Sequence, residues 1–277
     1  MMAGKLLIVG TPIGNLSDLS PRAIEALKSA DLIICEDTRD TRKLLTHFGI
    51  SRPVRSFHEH NEDVEAAELA ARIEAGATLA MVSDAGMPVI SDPGYRLVRI
   101  ARERGLKVEP IPGPFAGIVA LVASGIAPLP FTFFGFTPHR HGERLEFYRR
   151  VAAAAQTAIV YESPERVVES LDDALSILGD VEVTVAREMT KLHEEFVHGT
   201  ISEVVATLRK RERIRGEITV VFAAAAVVAK EVSPDEIAEE FKRLRDSGMR
   251  RNDAVKLIGE KFGMRKNEVY KLLLGRE

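Results

Sequence analysis

The sequence predicts an α/β protein with two α/β domains and a small helical segment at the C-terminus. Between residues 6 and 224, short aliphatic runs alternate with segments of helical spacing, a pattern typical of a mostly parallel sheet covered by helices. A stretch rich in proline and phenylalanine interrupts the alternation at residues 125–138, and the character changes again after residue 229. These changes place the predicted domains at residues 1–122, 123–230 and 231–277.

Each element of the first domain is predicted from a local signal. Ser20 before Pro21 is a typical helix start, and Asp37 is interpreted as the N-cap of the second helix. The aliphatic runs predict strands at residues 6–9, 32–35, 54–57, 78–82 and 108–111. Helices are predicted at residues 21–28, 38–47, 62–74 and 95–104, and after Pro114 up to residue 124.

The second domain is predicted to contain a mixed sheet. Its strands are expected at residues 158–161, 181–186, 196–198 and 218–224, and its helices at residues 165–177 and 202–211. No sequence repeat or low-complexity tract is present.

Length and composition fit this organisation. A chain of 277 residues allows about two domains with a core each. The longest apolar run, at residues 218–229, is too short to cross a bilayer, and the first residues lack the apolar region of a secretory signal. Cys35 is the only cysteine, which excludes a disulfide framework and a cysteine-based metal site. We therefore expect a cytoplasmic protein.

The charge is unevenly distributed. Residues 241–277 contain eleven basic and five acidic residues, so this segment carries +6 and the rest of the chain −9 of the net −3. Such a segment suggests a polyanion-binding appendage. Helices are predicted at residues 234–246, 251–262 and 266–274, and Gly263 gives the last two helix-turn-helix spacing, with Arg265 and Lys266 opening the last helix. A helical cap packed on the second domain, with a solvated basic face, fits equally well.

Residues 82–94 are the leading candidate for a binding loop. They follow a predicted strand, and loops at the carboxyl ends of strands bind ligands in α/β sheets. Their glycines allow a close approach of the backbone to a ligand, and their prolines stiffen the loop. Asp84 has no local structural role, which favours a ligand contact. Asp92 precedes Pro93, so it could cap the next helix or face a ligand.

Charged residues also follow other predicted strands. Glu36 and Arg39 come directly after the second strand and are candidate site residues. Polar groups at residues 161–166 and 187–191 end two strands of the second domain, where the floor of a cleft between two domains would lie.

Two other motifs carry little weight. Gly10-x-x-x-Gly14 lacks the glycine spacing of a dinucleotide-binding fingerprint. His58 and His60 flank Glu59, but no further cluster completes a metal site, so we predict no metal.

A set of motifs, in one order along the chain, carries a family resemblance. They are Thr11-Pro12-Ile13-Gly14-Asn15-Leu16, Glu36-Asp37-Thr38-Arg39, Ser83-Asp84-Ala85-Gly86 with Ile90-Ser91-Asp92-Pro93-Gly94, Pro112-Gly113-Pro114, Tyr161-Glu162-Ser163-Pro164, and Ala186-Arg187-Glu188 with Thr190-Lys191. From about residue 5 to residue 224 the chain resembles the ribosomal RNA small subunit methyltransferase I family, a branch of the tetrapyrrole methylase fold. The family usually has Thr and Gly where this chain has Met87 and Val89, and Ser where it has Phe115.

The resemblance implies two unlike α/β domains with a cofactor in the cleft between them, usually in a homodimer. It implies S-adenosylmethionine as the methyl donor and, as the acceptor, the ribose 2′-hydroxyl of a cytidine in the decoding region of 16S rRNA in the small ribosomal subunit. Carried over position by position, the cofactor contacts are Pro12, Asp84, Gly86, Met87, Phe115, Ala116 and Tyr161.

The implied chemistry gives further residues a role. A ribose hydroxyl is a poor nucleophile, and a positioned base that takes its proton assists the transfer. Glu36 is the first candidate for this base, and Lys191 is the second if burial depresses its pKa. RNA phosphates would be held by Arg39, Arg42 and Lys43, and in the basic segment by Arg265 and Lys266.

The aromatic residues at the domain seam leave two interpretations. Phe131, Phe133, Phe134 and Phe136 could stack on unpaired RNA bases, although a place in the core is the favoured interpretation. Two other functions also remain open. A tetrapyrrole or other small-molecule methyltransferase would need a wide apolar cleft and no basic appendage. A non-catalytic RNA-binding protein would leave the loop at residues 83–94 without a purpose.

Overall fold

The computed structural model describes residues 4–58, 62–225, 234–262 and 266–274. After Ala225 the chain divides into two compact units, which are described separately. The first unit contains two five-stranded sheets, and the described part of the second consists of helices. The predicted α/β class and the helical C-terminal segment are confirmed.

The first sheet is formed by five strands, β1 (Lys5–Val9), β2 (Leu32–Cys35), β3 (Val54–Ser56), β4 (Thr78–Met81) and β5 (Lys107–Ile111). The helices between and after them are α1 (Pro21–Ser29), α2 (Thr38–His47), α3 (Glu62–Glu74), α4 (Tyr95–Glu103) and α5 (Ala116–Ala123), with a short 3-10 helix at Leu16–Asp18. Every strand pairing is parallel, in the order β3-β2-β4-β1-β5.

Both faces of this sheet are covered because alternate residues of each strand point to opposite sides. Leu7 and Val9 of β1 pack with α1 and α2, whereas Leu6 and Ile8 pack with α3 and α4. After β1 the chain continues to β2, toward the β3 edge of the sheet, and after β4 it continues to β5, at the opposite edge. The topological switch point therefore lies at the carboxyl ends of the adjacent strands β1 and β4.

The helix starts confirm two capping predictions and correct a third. Ser20 caps α1 and Asp37 caps α2 through their side chains. The interpretation of Asp92 as the N-cap of α4 is wrong, because α4 begins after Gly94. The carboxylate of Glu62 instead accepts the N–H groups of Gly94 and Arg96, at 3.1 and 2.8 Å. A residue of α3 thus supplies the cap, and Asp92 is left to another role.

The second sheet is mixed, as predicted. Its strands are β6 (Phe131–Phe136), β7 (Thr157–Glu162), β8 (Glu182–Arg187), β9 (Glu195–Thr200) and β10 (Ile218–Phe222), in the order β6-β7-β10-β8-β9. Only β6 and β7 pair in parallel. Three helices, α6 (His141–Ala154), α7 (Val167–Leu178) and α8 (Ile201–Arg209), cover one face. Helix α5 and Ile13, from the loop after β1, cover the other face, so this core joins the two sheets.

Two elements of the second sheet region were absent from the sequence prediction. Strand β6 lies in the stretch predicted as a domain seam. Helix α6 buries Arg144, Phe147, Tyr148 and Val151. These positions have regular helical spacing, but the first is an arginine, so the apolar pattern in the sequence is incomplete. The division at residues 122 and 123 remains a prediction.

The C-terminal helices have a core of their own. They are α9 (Pro234–Asp246), α10 (Arg251–Phe262) and α11 (Lys266–Leu274), and they bury Ile237, Val255, Ile258 and Val269 completely. The predicted turn at Gly263 and the predicted RNA contact Arg265 lie outside the described residues. No described helix combines the length and the apolar character needed to cross a membrane.

Candidate functional site

The candidate site lies at the switch point of the first sheet. The loops after β1 and β4 are joined by a short antiparallel bridge between Thr11 and Gly86. Each residue donates its N–H to the carbonyl of the other, at 2.9 and 3.1 Å. Gly86 has a φ of 84°, in the left-handed region that favours glycine. The two loops therefore form one continuous floor.

The loop after β4 has an unusual backbone. Val89 and Ser91 have φ angles of 78° and 65°, which residues with a Cβ rarely adopt. Such conformations cluster at functional sites, where neighbouring contacts hold them in place. Val89 occupies a position where the resembling family usually has glycine, and the positive φ accounts for that preference. Its partly buried side chain packs on the core of the first sheet, which offsets the strain.

A pocket of about 390 Å³ opens beside this floor. Its lining comes from loops of the first sheet and from β6, β7 and the segment before β10 of the second. Aromatic and acidic side chains both take part, namely Phe115, Phe136, Tyr161, Glu36, Asp84 and Asp92. The volume lies within the range typical of small-molecule sites, and the predicted cleft between two α/β regions is present.

Aromatic rings build one part of the pocket lining. Tyr161 contacts Phe133, Phe136 and Phe115 edge to face, with centroids 4.9, 5.2 and 6.4 Å apart. Burial raises the pKa of Tyr161 to about 12, so its hydroxyl stays neutral. Phe133 is partly buried, as the core interpretation predicted, whereas Phe136 is largely exposed and lines the pocket.

Five acidic residues line the pocket, and three of them, Glu36, Asp84 and Asp92, come from loops of the first sheet. Asp84 accepts the N–H of Asp37 at 3.2 Å, and burial raises its pKa. The pKa of Asp92 is raised further, to about 6, by burial first and then by the negative charges of Glu36 and Asp84. Negative charge is therefore concentrated at the pocket, which suits a cationic ligand.

The Asp92 carboxyl is expected to cost stability once it ionises. Its pKa of about 6 in the fold exceeds the ordinary 3.8, so between these values the native state holds more protons than the unfolded state and stability falls as pH rises. Asp92→Asn should therefore be more stable than the wild type at pH 7.5, by about 1–2 kcal/mol because solvent screens this half-buried group, and equal to it below about pH 4. Urea unfolding at the two pH values measures the difference. Equal gains at both would contradict the expectation.

Lys191 lies in an adjoining pocket of about 490 Å³, which shares Asp84 and Glu217 with the first. Its Nζ is 2.8 Å from Glu188 Oε1 and 3.1 Å from Glu217 Oε2. Burial acts to lower the pKa of Lys191, but the hydrogen bonds to both carboxylates outweigh it and raise the pKa. The ammonium group is held in its charged form, so the depressed pKa that a lysine base requires is not present.

The segment after β7 is held by a buried carboxylate. Glu162 accepts the N–H of Ser163 at 2.7 Å and Nη2 of Arg166 at 2.9 Å, and also the hydroxyl of Thr137. The Ser163 hydroxyl itself is buried and finds no hydrogen-bond partner among the described residues, although Ser163 lines the pocket. A buried hydroxyl without a partner costs free energy, and a bound ligand can satisfy it.

The structure brings most of the sequence-predicted cofactor residues together. Asp84, Gly86, Met87, Phe115, Ala116 and Tyr161 line the first pocket together with Glu36, whereas Pro12 lines the adjoining pocket with Lys191. Glu162 and Ser163 also line this pocket, as expected for the polar groups of residues 161–166 at the floor of a cleft, although neither was given an individual role.

The predicted RNA contacts are less uniform. Arg39 is paired with Asp37 at 2.6 Å, and Lys43 with Asp40 at 2.6 Å. Arg42 is exposed on the same helix, and Lys266 is exposed at the start of α11. Lys43 lines the pocket that contains Lys191, so part of this set lies near the site.

Comparisons with known proteins agree with this geometry. Residues 5–205 match the family model described as Tetrapyrrole (Corrin/Porphyrin) Methylases. A protein of Halalkalibacterium halodurans named ribosomal RNA small subunit methyltransferase I is 41% identical, covering 97% of this chain and 94% of its own. A Synechocystis protein of the same name is 40% identical, covering 99% of both chains. A diphthine synthase structure, 14% identical, superposes with a TM-score of 0.62 over 79% of this chain and 90% of its own.

Proposed function

This chain belongs to the ribosomal RNA small subunit methyltransferase I family of the tetrapyrrole methylases, and on that premise we propose that it methylates 16S rRNA. The donor is S-adenosylmethionine, and the acceptor is the ribose 2′-hydroxyl of a cytidine in the decoding region of the small ribosomal subunit. The protein acts in the cytoplasm as a homodimer. The resemblance carried by the sequence motifs is confirmed at the level of the family.

The observation that carries the proposal is the pocket at the switch point. S-adenosylmethionine bears a positively charged sulfonium and an ammonium group, and Glu36, Asp84 and Asp92 supply negative charge there. Phe115 and Tyr161 offer flat apolar surface for the adenine ring. The hydroxyl of Ser163 supplies a polar group that the described protein residues leave unsatisfied. The residues present therefore fit this cofactor.

When bound, the cofactor supplies a methyl group already activated on sulfur. The chain then has to align the donor and the acceptor hydroxyl. The joined loops at Thr11 and Gly86 provide a fixed floor for this alignment. We assign Glu36 to take the proton from the hydroxyl, because it lines the pocket with the predicted cofactor contacts. Lys191 stays charged between Glu188 and Glu217, so we do not assign it the role of the base.

Transfer of a labelled methyl group from S-adenosylmethionine to small ribosomal subunits that lack the modification tests the proposal. The product is mapped by primer extension under conditions sensitive to 2′-O-methylation. A stop at one cytidine of the decoding region is the expected result. Cofactor binding without transfer would favour a small-molecule acceptor, and absence of both would favour a non-catalytic RNA-binding protein.

The C-terminal segment is expected to increase the affinity for RNA. Deleting residues 232–277 should weaken binding of small ribosomal subunits and flatten its salt dependence, because each lost phosphate contact lowers the slope by about 0.7–0.9. Filter binding across a salt series measures both quantities. Helices α9, α10 and α11 have their own core, and the deletion begins beyond the first compact unit.

S-adenosylmethionine affinity serves as the control for this deletion, because every predicted cofactor contact lies before residue 225. A truncated protein with an unchanged KM for RNA at every salt concentration would show that the C-terminal helices serve as a structural cap.

A further inference from the structure

A run of basic residues outside the family motifs leads directly into the pocket. Residues 209–215 contain five basic residues and one acidic residue. They start at the end of α8, and the next two residues of the chain, Gly216 and Glu217, line the pocket. The run is therefore adjacent in sequence to residues that line the pocket, and Arg215 directly precedes Gly216.

Two arginines fix the position of the run. Arg211 pairs with the Glu195 carboxylate of β9 at 2.5 Å. Arg187 of β8 pairs with the same carboxylate at 3.1 Å and donates to the Arg215 carbonyl at 3.2 Å. The run is thus tied at Arg211 and at Arg215 to the second sheet, and its free side chains project from an anchored backbone.

Lys210, Arg213 and Arg215 have a different environment from the anchors. All three are exposed, and within the described ranges their side chains form no ion pair or hydrogen bond. Cations held without acidic partners can bind phosphate oxygens without first breaking an internal pair. Arg39 and Lys43 differ in this respect, because each is already paired with an aspartate.

Two further lysines lie close to the end of the run. Glu217, two residues after the run, pairs with Lys191, and Lys191 lines the adjoining pocket together with Lys43 of α2. Cationic groups therefore occur on α2, within the adjoining pocket and along residues 210–215. Both lysines are paired with carboxylates, so the unpaired side chains of the run are the better candidates for phosphate contacts.

We propose that Lys210, Arg213 and Arg215 bind phosphates of the RNA strand that carries the acceptor nucleotide. This inference rests on the proposed RNA substrate, and it assigns phosphate binding to the first compact unit in addition to the C-terminal segment. These three residues, called the strip below, would hold the strand beside the pocket. They would therefore contribute to RNA affinity and not to cofactor binding.

The test is a variant with Lys210→Gln, Arg213→Gln and Arg215→Gln, which removes three charges and keeps most of each side-chain stem. Binding of a decoding-region RNA fragment and of small ribosomal subunits is measured by filter binding between about 50 and about 200 mM KCl. Three lost phosphate contacts at about 0.7 each lower the slope of log affinity against log salt concentration by about 2. The ratio of wild-type to variant RNA affinity should therefore fall about 16-fold between the lowest and the highest salt concentration. S-adenosylmethionine affinity should stay the same.

A matched control removes the same charge from the opposite end of the first sheet. Lys28, Arg52 and Arg102 are exposed and precede β2, β3 and β5, so they lie at the amino ends of the parallel strands. Lys28→Gln, Arg52→Gln and Arg102→Gln together should leave the slope close to that of the wild type. Equal slopes for the two triple variants would overturn the inference, because only net charge would then matter.

The assay separates this inference from the proposed function, since it reads RNA binding without methyl transfer. One outcome would overturn the proposed function alone: the wild type binds RNA with the expected salt dependence and the triple variant of the strip does not, yet the wild type transfers no methyl group. A strip variant that binds RNA as the wild type does at every salt concentration, while the wild type methylates the subunit, would overturn the inference alone.

Discussion

Replacing Glu36 by glutamine is expected to lower kcat for methyl transfer by about 10²- to 10⁴-fold, the usual contribution of a positioned general base. Glutamine keeps the shape of the side chain and removes its ability to take a proton from the ribose hydroxyl. Glu36 lines the pocket with six of the seven predicted cofactor contacts, so the loss should appear in kcat. Single-turnover transfer with labelled S-adenosylmethionine measures it, and cofactor affinity is measured separately.

Asp92→Asn is the matched comparison, because it makes the same chemical change in the same pocket. If Glu36 is the base, this variant should lose far less activity. A large loss in Asp92→Asn with a normal rate in Glu36→Gln would move the role to Asp92. The pH profile gives a second criterion. The negative charge of Glu36 helps to raise the pKa of Asp92. If the pH–rate profile contains a transition that reports the ionisation of Asp92, Glu36→Gln should shift that transition to lower pH.

The parts of this site that the sequence predicts are those with local signals. The loop at residues 82–94 has its glycines and prolines in one stretch, and a parallel sheet brings the carboxyl ends of its strands to one edge. Glu36 and Asp84 each follow a predicted strand, so a parallel sheet places both at the same edge. Asp37 and Ser20 were identified as caps because each contacts an N–H two or three residues away.

The parts that the sequence does not predict depend on contacts between distant residues. Asp92 has the local pattern of a cap, but Glu62, thirty-two residues before Gly94, takes that position. The charge of Lys191 depends on Glu217 as well as on its neighbour Glu188. Helix α6 was missed for a similar reason, since a buried Arg144 is compatible with a core only when partners from α7 surround it.

Arg144→Met is expected to destabilise the first compact unit by about 3–5 kcal/mol, because it removes the guanidinium from the buried Asp173 carboxylate and leaves the exposed His141 ring as its side-chain partner. Arg144 is fully buried. Its Nε donates to Asp173 Oδ2 and its Nη2 to Glu169 Oε1, both at 2.6 Å, and its Nη1 donates to the His139 carbonyl at 3.2 Å. Methionine fills much of the same space and satisfies none of these acceptors. The corresponding fall in Tm is roughly 10 °C, measurable by far-UV circular dichroism.

The double variant Arg144→Met with Asp173→Leu distinguishes loss of the charge pair from loss of packing. Replacing both partners of a buried pair by apolar groups of similar volume is often close to neutral, so much of the stability should return. A double variant as unstable as Arg144→Met would show that shape, and not charge, holds α6 against α7. Methyl transfer by a stable double variant then tests whether the link from Arg144 through His139 and Arg166 to Glu162 acts on the pocket. A normal kcat would confine Arg144 to stability, because Glu162 would then hold Ser163 without its help.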